Sequence, residues 1–290
     1  MHTFQYWSLV LLHFFFVGNS NTVHCQVVHQ DPDTSATKAP LTLGQTLTED
    51  FKDYYKGFGY VFSRPAHWKK KQLLTFGGVM AGTLLLTLAD EPVYEFFRDN
   101  QGNFGNDLEK IGDFWGKPQF GYLFAGGIYA LGLGIGREPM RKAGVSSITA
   151  ITAAGLLQTI TKIVVGRARP GQDKGNWFFS PFTNEAKFHS FPSGHTIVAM
   201  TTSFVIAKTV ESKVVKGLFY TLGGITAWSR VYKGAHWLSD VALSTAISYF
   251  TVETVFKFMD LRTELRKKKY GGTVFRLSPH PLGFTASLQW

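Results

Sequence analysis

The 290-residue sequence predicts an all-α protein, a bundle of about six helices followed by a small C-terminal β-hairpin. Three observations point there. Six apolar segments recur, at roughly 72–89, 119–136, 144–165, 194–210, 214–228 and 239–258, each about the ~20 residues needed to cross a bilayer. These segments are rich in Gly, Ala, Ser and Thr, which lets helices approach closely. Strand-like alternation marks the tail, where Phe284, Ala286, Leu288 and Trp290 alternate with polar residues after the turn sequence SPHPLG. A single hairpin cannot form a membrane barrel.

The chain opens with MHTFQYWSLVLLHFFFVGNSNTVHC, in which Trp7 to Val17 is apolar apart from Ser8 and His13. That is the length of a signal-peptide core, and Gly18 and Ser20 supply small residues for cleavage. Residues 1–25 therefore read as a signal peptide or an N-terminal anchor. Residues 26–50, polar and Thr-rich, read as a flexible lead-in. Phe51 to Lys71 is aromatic and basic, fitting a segment that lies on a membrane surface or packs beside the core. The helical domain is expected over 51–260, and a basic linker with the hairpin over 261–290. The single cysteine, Cys25, excludes an intrachain disulfide and a Cys-rich metal site. Thr22, Val23 and His24 before it are not the small residues expected ahead of a lipidated cysteine.

Lys and Arg outnumber Asp and Glu by 30 to 20, a net charge of +10 that suits an anionic partner. No nucleic-acid motif is present, which leaves a membrane surface or a phosphorylated substrate. The charges are segregated. Asp90 to Lys117 carries seven acidic residues and three basic ones. Basic clusters fall at Arg64 with Lys69–Lys71, at Arg137, Arg141 and Lys142, at Lys208, Lys213 and Lys216, and at Arg262 and Arg266–Lys269. Threading six spans gathers these clusters on one side, which the positive-inside rule makes cytoplasmic. The acidic connection and loops 166–193 and 229–239 then face outward. Two features oppose this reading: a whole-chain mean hydropathy of −0.01, and Glu253 inside the last segment. A cleaved signal would also deliver Lys69–Lys71 outside. A buried soluble bundle therefore stays open.

Three fragments carry chemistry. KIVVGRARP holds Lys162, Arg167 and Arg169; HSFPSGHTIVAM holds His189, Ser193, Gly194 and His195; SRVYKGAHWLSD holds Arg230, Lys233, His236 and Asp240. Singly, each has a bland reading: Ser193 as a helix N-cap, Lys162 as a residue answering a helix dipole, His236 and Asp240 as a surface pair one turn apart. Together they supply what a phosphate site needs. Lys162, Arg169 and Arg230 can surround one dianion. The Ser193 hydroxyl and the Gly194 amide can donate to the same oxygens at a helix N-terminus.

KxxxxxxRP, PSGH and SRxxxxxHxxxD, in this order, resemble the three-part signature of the type 2 phosphatidic acid phosphatase / vanadium haloperoxidase superfamily. All three parts match without substitution, over Lys162 to Asp240. The resemblance implies that family's helical fold from about residue 70 to 258. It also implies a phosphatase in which His236 attacks phosphorus to form a phosphohistidine, Asp240 accepts the other imidazole N–H, and His195 protonates the leaving oxygen and then activates water. Lys162, Arg169, Arg230, Ser193 and Gly194 would stabilise the equatorial oxygens, with no metal or other cofactor. Arg167 and Lys233 read as spare cations, His189 as a loop histidine, and Phe188 and Phe191 as candidates to line an apolar entrance.

The expected substrate is a phosphorylated lipid or lipid diphosphate, met at a membrane of the cell envelope by an active site that faces the periplasm or the outside. A periplasmic acid phosphatase acting on soluble phosphomonoesters uses the same residues and is the alternative. A vanadate-dependent haloperoxidase would hold vanadate in the phosphate site. A non-catalytic phosphate-binding protein would not need both histidines and Asp240.

Overall fold

The computed structural model describes residues 41–270, the side chains of 267–270 excepted, and the backbone of two short strands at 274–280 and 283–289. The expected signal or anchor at 1–25 lies outside the described residues. Among those described, nine α-helices form the protein: α1 (Leu43–Ser63), α2 (Lys70–Leu86), α3 (Asp90–Asp99), α4 (Asn103–Trp115), α5 (Pro118–Gly134), α6 (Glu138–Val165), α7 (Gly194–Thr209), α8 (Lys213–Tyr232) and α9 (Leu238–Tyr270). The all-α class holds. The six apolar segments map onto α2 and α5 to α9, while the acidic connection folds into α3 and α4.

Small residues set the packing. Antiparallel α5 and α6 are zipped by Gly132 against Arg141, Gly144 against Tyr129, and Gly121 against Ile151 and Val198. The core beneath runs through Ala150, Ala153, Ala199, Ile206, Phe219, Val252 and Val255. Glu253, which weighed against a membrane-crossing segment, is paired with Lys208 at 2.7 Å. Among the described residues, two stretches are long and apolar enough to cross a membrane: Lys70–Asp99 and Glu138–Val165. Of the other four expected segments, α5 and α7 have only 17 and 16 residues, while α8 and α9, at 20 and 33, are long enough but less apolar. On α2 only Thr83 is buried, so its leucines and Phe76 face outward.

Two boundaries move. The stretch expected as a flexible lead-in up to residue 50 is helical from Leu43, where α1 starts. Thr42 caps it, and Gln45 returns a bond to the Thr42 amide, a capping box worth ~1 kcal/mol. The basic linker drawn from 261 is instead the continuation of α9 to Tyr270. Both shifts have one cause. Glu49, Asp50 and Asp53 on α1 are buried, and Arg262 and Arg266, one turn apart on α9, reach them together with Arg141 of α6. Polar sequence at both ends of the domain thus becomes one buried ionic seam. The Phe51–Lys71 stretch packs beside the core through α1, where Gly57 and Tyr60 meet Phe258.

That seam gathers Arg141, Arg262 and Arg266 at one end of the bundle, where α6 starts and α9 finishes. The other end is formed by the C-termini of α6 and α8 and the N-termini of α7 and α9, with α4 laid along α8. Gly112 permits the α4 approach, since a Cβ there would sit 2.6 Å from Ser229 Oγ. In the tail, Val274–His280 pairs antiparallel with Gly283–Gln289.

Candidate active site

The residues singled out from sequence meet at the α4-bearing end. Lys162 lies in the last turn of α6, which stops at Gly166 in a left-handed conformation (φ 61°). A side chain is impossible there, because a Cβ would fall 1.9 Å from the Ser180 carbonyl oxygen. The extended backbone that follows is held from both sides. Ala168 N–H and Ser180 N–H bond across to Phe178 and Gly166. On the opposite side Arg169 N–H donates to Lys187 and Ser190 N–H donates to Arg167. This double tie brings the turn at 186–190 against the end of α6. Lys162 Nζ donates to the His189 carbonyl, and Arg169 Nε to the Ala186 carbonyl at 3.1 Å.

Ser193 is the N-cap of α7 and is fully buried. Its amide donates to Ser244 Oγ at 2.7 Å, and its Oγ accepts from Thr196 Oγ1 at 3.0 Å. The capping reading of this serine is therefore correct as far as it goes. An oxygen that accepts these bonds still has its own hydrogen to donate. Gly194 opens the helix, with the Gln158 carboxamide, one turn before Lys162 on α6, 3.5 Å from where a Cβ would be. His195 follows, its Nε2 3.4 Å from Asp113 Oδ1.

Arg230 ends α8 and is 5% exposed. Its Nη1 donates to Asp113 at 2.8 Å and its Nη2 to Glu109 at 2.8 Å. The acidic connection is thus not simply an outward-facing solvated loop: α4 delivers counter-charges to a site cation. Burial works against the Asp113 charge, but Lys117 and Arg230 outweigh it and hold the carboxyl below its ordinary range.

His236 shows the clearest departure from expectation. Its Nδ1 lies 2.6 Å from the Ser190 carbonyl and 3.7 Å from Asp240 Oδ2, so Asp240 is not its close partner. A carbonyl can only accept, so the proton sits on Nδ1 and the Nε2 lone pair is bare. The reason lies in what already occupies Asp240. It accepts from Arg167 Nη1 (2.6 Å), Ser190 Oγ (2.5 Å) and Trp237 N–H (2.9 Å). Asp240 therefore holds Ser190, and Ser190 holds His236. Burial, with Lys162 and Arg169 adding to it against the opposing Asp240, pushes the His236 imidazole down to about 4.

Arg167, expected to be a spare cation, is the most engaged side chain in the site. It is 2% exposed and donates to the Asn176 carbonyl, Ser239 Oγ, Asp240 Oδ1 and Asp90 Oδ2. Asp90 also accepts from the Ser239 amide and hydroxyl. Sequence reasoning missed Asp90, Glu109, Asp113 and Ser190. The charge imbalance of 90–117 was the one available signal for the three acids.

Lys233 is exposed, as a solvated charge should be. His189 is a loop residue whose Nε2 meets the Thr183 carbonyl at 2.9 Å. Phe188 does not line an entrance: it is 5% exposed and stacks on Phe178. Beside the site a cleft of about 270 Å³ is lined by Glu91, Tyr94, Glu95, Arg98, Pro170 and Trp237 among others, and none of the eight expected site residues borders it. Among the described residues, no three His, Cys, Asp or Glu side chains group as metal ligands.

Residues 143–264 match the model of the PAP2 superfamily. Two lipid A 1-phosphatases are similar: one from Rhizobium etli, 33% identical over 126 residues, and one from Rhizobium johnstonii, 30% identical over 132. The matches cover 39% and 44% of this chain and 53% and 49% of those proteins, so the chain spans about half the length of the curated relatives it matches. Among solved structures, the transmembrane PAP2-type phosphatidylglycerolphosphate phosphatase from Bacillus subtilis superposes with a TM-score of 0.51 at 21% identity, covering 63% of this chain and 95% of that one. LpxE from Aquifex aeolicus gives 0.47 at 18% identity, covering 58% and 94%.

Proposed function

We propose, from the match of residues 143–264 to the PAP2 superfamily model, that this protein is a membrane-bound phosphatase that hydrolyses a phosphorylated lipid or lipid diphosphate through a phosphohistidine. One observation carries the reading: Lys162, Arg169 and His236, spread over 75 positions of sequence, each meet a carbonyl of the 186–190 turn, and His195 and Arg230 share Asp113 at the same end of the bundle. Lys162, Arg169 and Arg230 supply fixed positive charge for the phosphoryl oxygens, with the Ser193 hydroxyl and Gly194 amide at the positive end of α7. His236 attacks phosphorus through Nε2. The charge that develops on its ring is stabilised through Nδ1 by the Ser190 carbonyl, which Asp240 orients. His195 donates a proton to the leaving oxygen and then takes one from the hydrolytic water. Burial and then the Arg230 charge push the His195 imidazole down to about 4, with Asp113 opposing them, so the free ring is neutral and takes up the proton it donates only as the phosphate dianion enters.

A phosphate dianion entering the site meets an arginine already balanced by Glu109 and Asp113. The net field it feels comes chiefly from Lys162 and Arg169, whose carbonyl partners carry no charge. Membrane location is supported by the two long apolar stretches and by the outward-facing apolar residues of α2. The segregation of basic clusters to the opposite end supports a site facing outside the cytoplasm. The similar lipid A 1-phosphatases support a lipid phosphate as the substrate class. The alternative, a soluble phosphomonoester, is favoured by the whole-chain mean hydropathy of −0.01.

The test is phosphate release by purified protein in detergent with EDTA, across phosphatidate, a polyprenyl diphosphate, a lipid A phosphate and a soluble phosphomonoester. Turnover of one lipid phosphate well above the soluble ester is expected. Activity lost in EDTA and restored by magnesium would overturn metal independence, and preference for the soluble ester would overturn the substrate class.

A further inference from the structure

Between the first two fragments of the site, the chain makes an excursion that no catalytic role explains. Trp177, Phe179 and Phe182 stand out into solvent, 58%, 41% and 73% exposed. Phe182 adopts a left-handed backbone (φ 60°), a conformation that costs a bulky residue energy. The excursion is not loose. Ser180 N–H bonds to Gly166 and Phe182 N–H to Ile163, each at 2.7 Å, so it is riveted to the last turn of α6. That turn also exposes apolar side chains, Ile160, Ile163 and Val164. The aromatic tip and this flank of α6 form one apolar surface, continuous with a helix long and apolar enough to cross a membrane. A cation borders it: Lys174 Nζ lies 4.3 Å from the Phe178 ring centroid, whereas Lys187 is paired with Glu185.

We propose that Trp177, Phe179 and Phe182 form a lip that inserts into the headgroup–acyl boundary of the lipid leaflet beside the catalytic site. The inference rests on the membrane reading of the function and adds to it the surface by which the site meets the bilayer. The chemistry fits that occupant. Aromatic side chains concentrate at the level where a spanning helix leaves the hydrocarbon, and the lip is tied to α6 at its last turn. A lysine beside an apolar surface, here Lys174, favours anionic headgroups. The consequence is mechanical. Arg167 and Arg169 lie on the backbone that runs between the lip and the 186–190 turn, so anchoring the lip fixes the site at the height of a lipid phosphate.

The test uses the full chain in a Cys25→Ser background with Phe182→Cys, labelled with an environment-sensitive fluorophore and reconstituted into vesicles of phosphatidylcholine and phosphatidylglycerol. The label should be shielded from aqueous iodide and quenched by lipids brominated near the headgroup. In parallel, Trp177→Ser, Phe179→Ser and Phe182→Asn are combined; asparagine tolerates the left-handed backbone. Hydrolysis of a lipid phosphate embedded in vesicles should fall by about tenfold or more, while a short-chain water-soluble phosphate ester is turned over within about twofold of the unsubstituted protein.

A label open to iodide in vesicles overturns the proposal. So does a label shielded from iodide but untouched by the brominated lipid, which would mean that protein covers the lip, from residues 1–40 or a second copy. Equal losses on both esters would make the lip a structural element and equally refute its role. If the unsubstituted protein hydrolyses neither ester, the proposed function fails, while the fluorescence still decides whether the lip inserts.

Discussion

Replacing Arg167 by alanine removes four hydrogen bonds, two of them to carboxylates that are themselves sealed from water. Asp90 is 1% exposed and Asp240 fully buried. Asp240 keeps its bonds from Ser190 and Trp237, and Asp90 keeps two from Ser239. Hydrogen bonding is thus only partly lost, and the main cost is two buried negative charges left without a cation. Breaking a buried ion pair by removing one partner costs about 3–5 kcal/mol, so Arg167→Ala should lose that much folding stability. Arg167→Lys keeps one charge but cannot reach Asn176, Ser239 and both carboxylates at once, and should fall between. If the uncompensated charge is the cause, adding Asp90→Asn to Arg167→Ala should recover part of the loss, with a coupling of about 1–3 kcal/mol. The assay is chaotrope or thermal unfolding in detergent for the four members of the cycle, with phosphate release alongside. Arg167→Ala within about 1 kcal/mol of the parent, or no coupling to Asp90, would refute the assignment of Arg167 as the clamp of the site.

Other outcomes follow from the same geometry. With His236 lowered to about 4, the free imidazole is neutral through the physiological range. Then kcat/KM, corrected for the substrate's own phosphate ionisation near ~6, should fall on acidification with an apparent pKa near 4. A limb at the ordinary histidine value would show that the nucleophile is not desolvated as described. The same shift makes stability drop as pH falls from ~6.5 to ~4, since there the unfolded chain takes up a proton that the folded chain refuses. His195→Ala should slow an alkyl phosphate far more than an aryl phosphate with an acidic phenol, because the latter's leaving oxygen needs no proton. Equal losses on both esters would remove His195 from the proton-donor role.

The helices and the three fragments were legible in sequence because they are local: apolar runs of helical length, turn residues, and spacings of one turn. What escaped was set by long-range contacts. The polar stretch ahead of residue 50 reads as a tether because Glu49, Asp50 and Asp53 look solvated; only Arg141, Arg262 and Arg266, brought from elsewhere, make them interior. Arg167 reads as surplus beside Arg169, and nothing local distinguishes the arginine that faces two buried carboxylates from the one that faces a carbonyl. The one-turn spacing of His236 and Asp240 predicted proximity correctly, but not that Ser190 would interpose. Proximity on a helix says nothing about competing partners from another loop. Membrane-crossing candidates are fewer than the apolar runs suggest: sequence does not show where α5 and α7 stop, and α8 and α9 carry too many polar residues along their length.

The central claim is that His236, with Nδ1 pinned by Ser190, attacks phosphorus through Nε2. Rapid-quench trapping with a labelled lipid phosphate, followed by peptide mapping, tests it directly. The acid-labile label should sit on His236 Nε2, accumulate in His195→Ala, and be absent from His236→Ala. Label on His195, or a covalent adduct that persists in His236→Ala, would contradict the account.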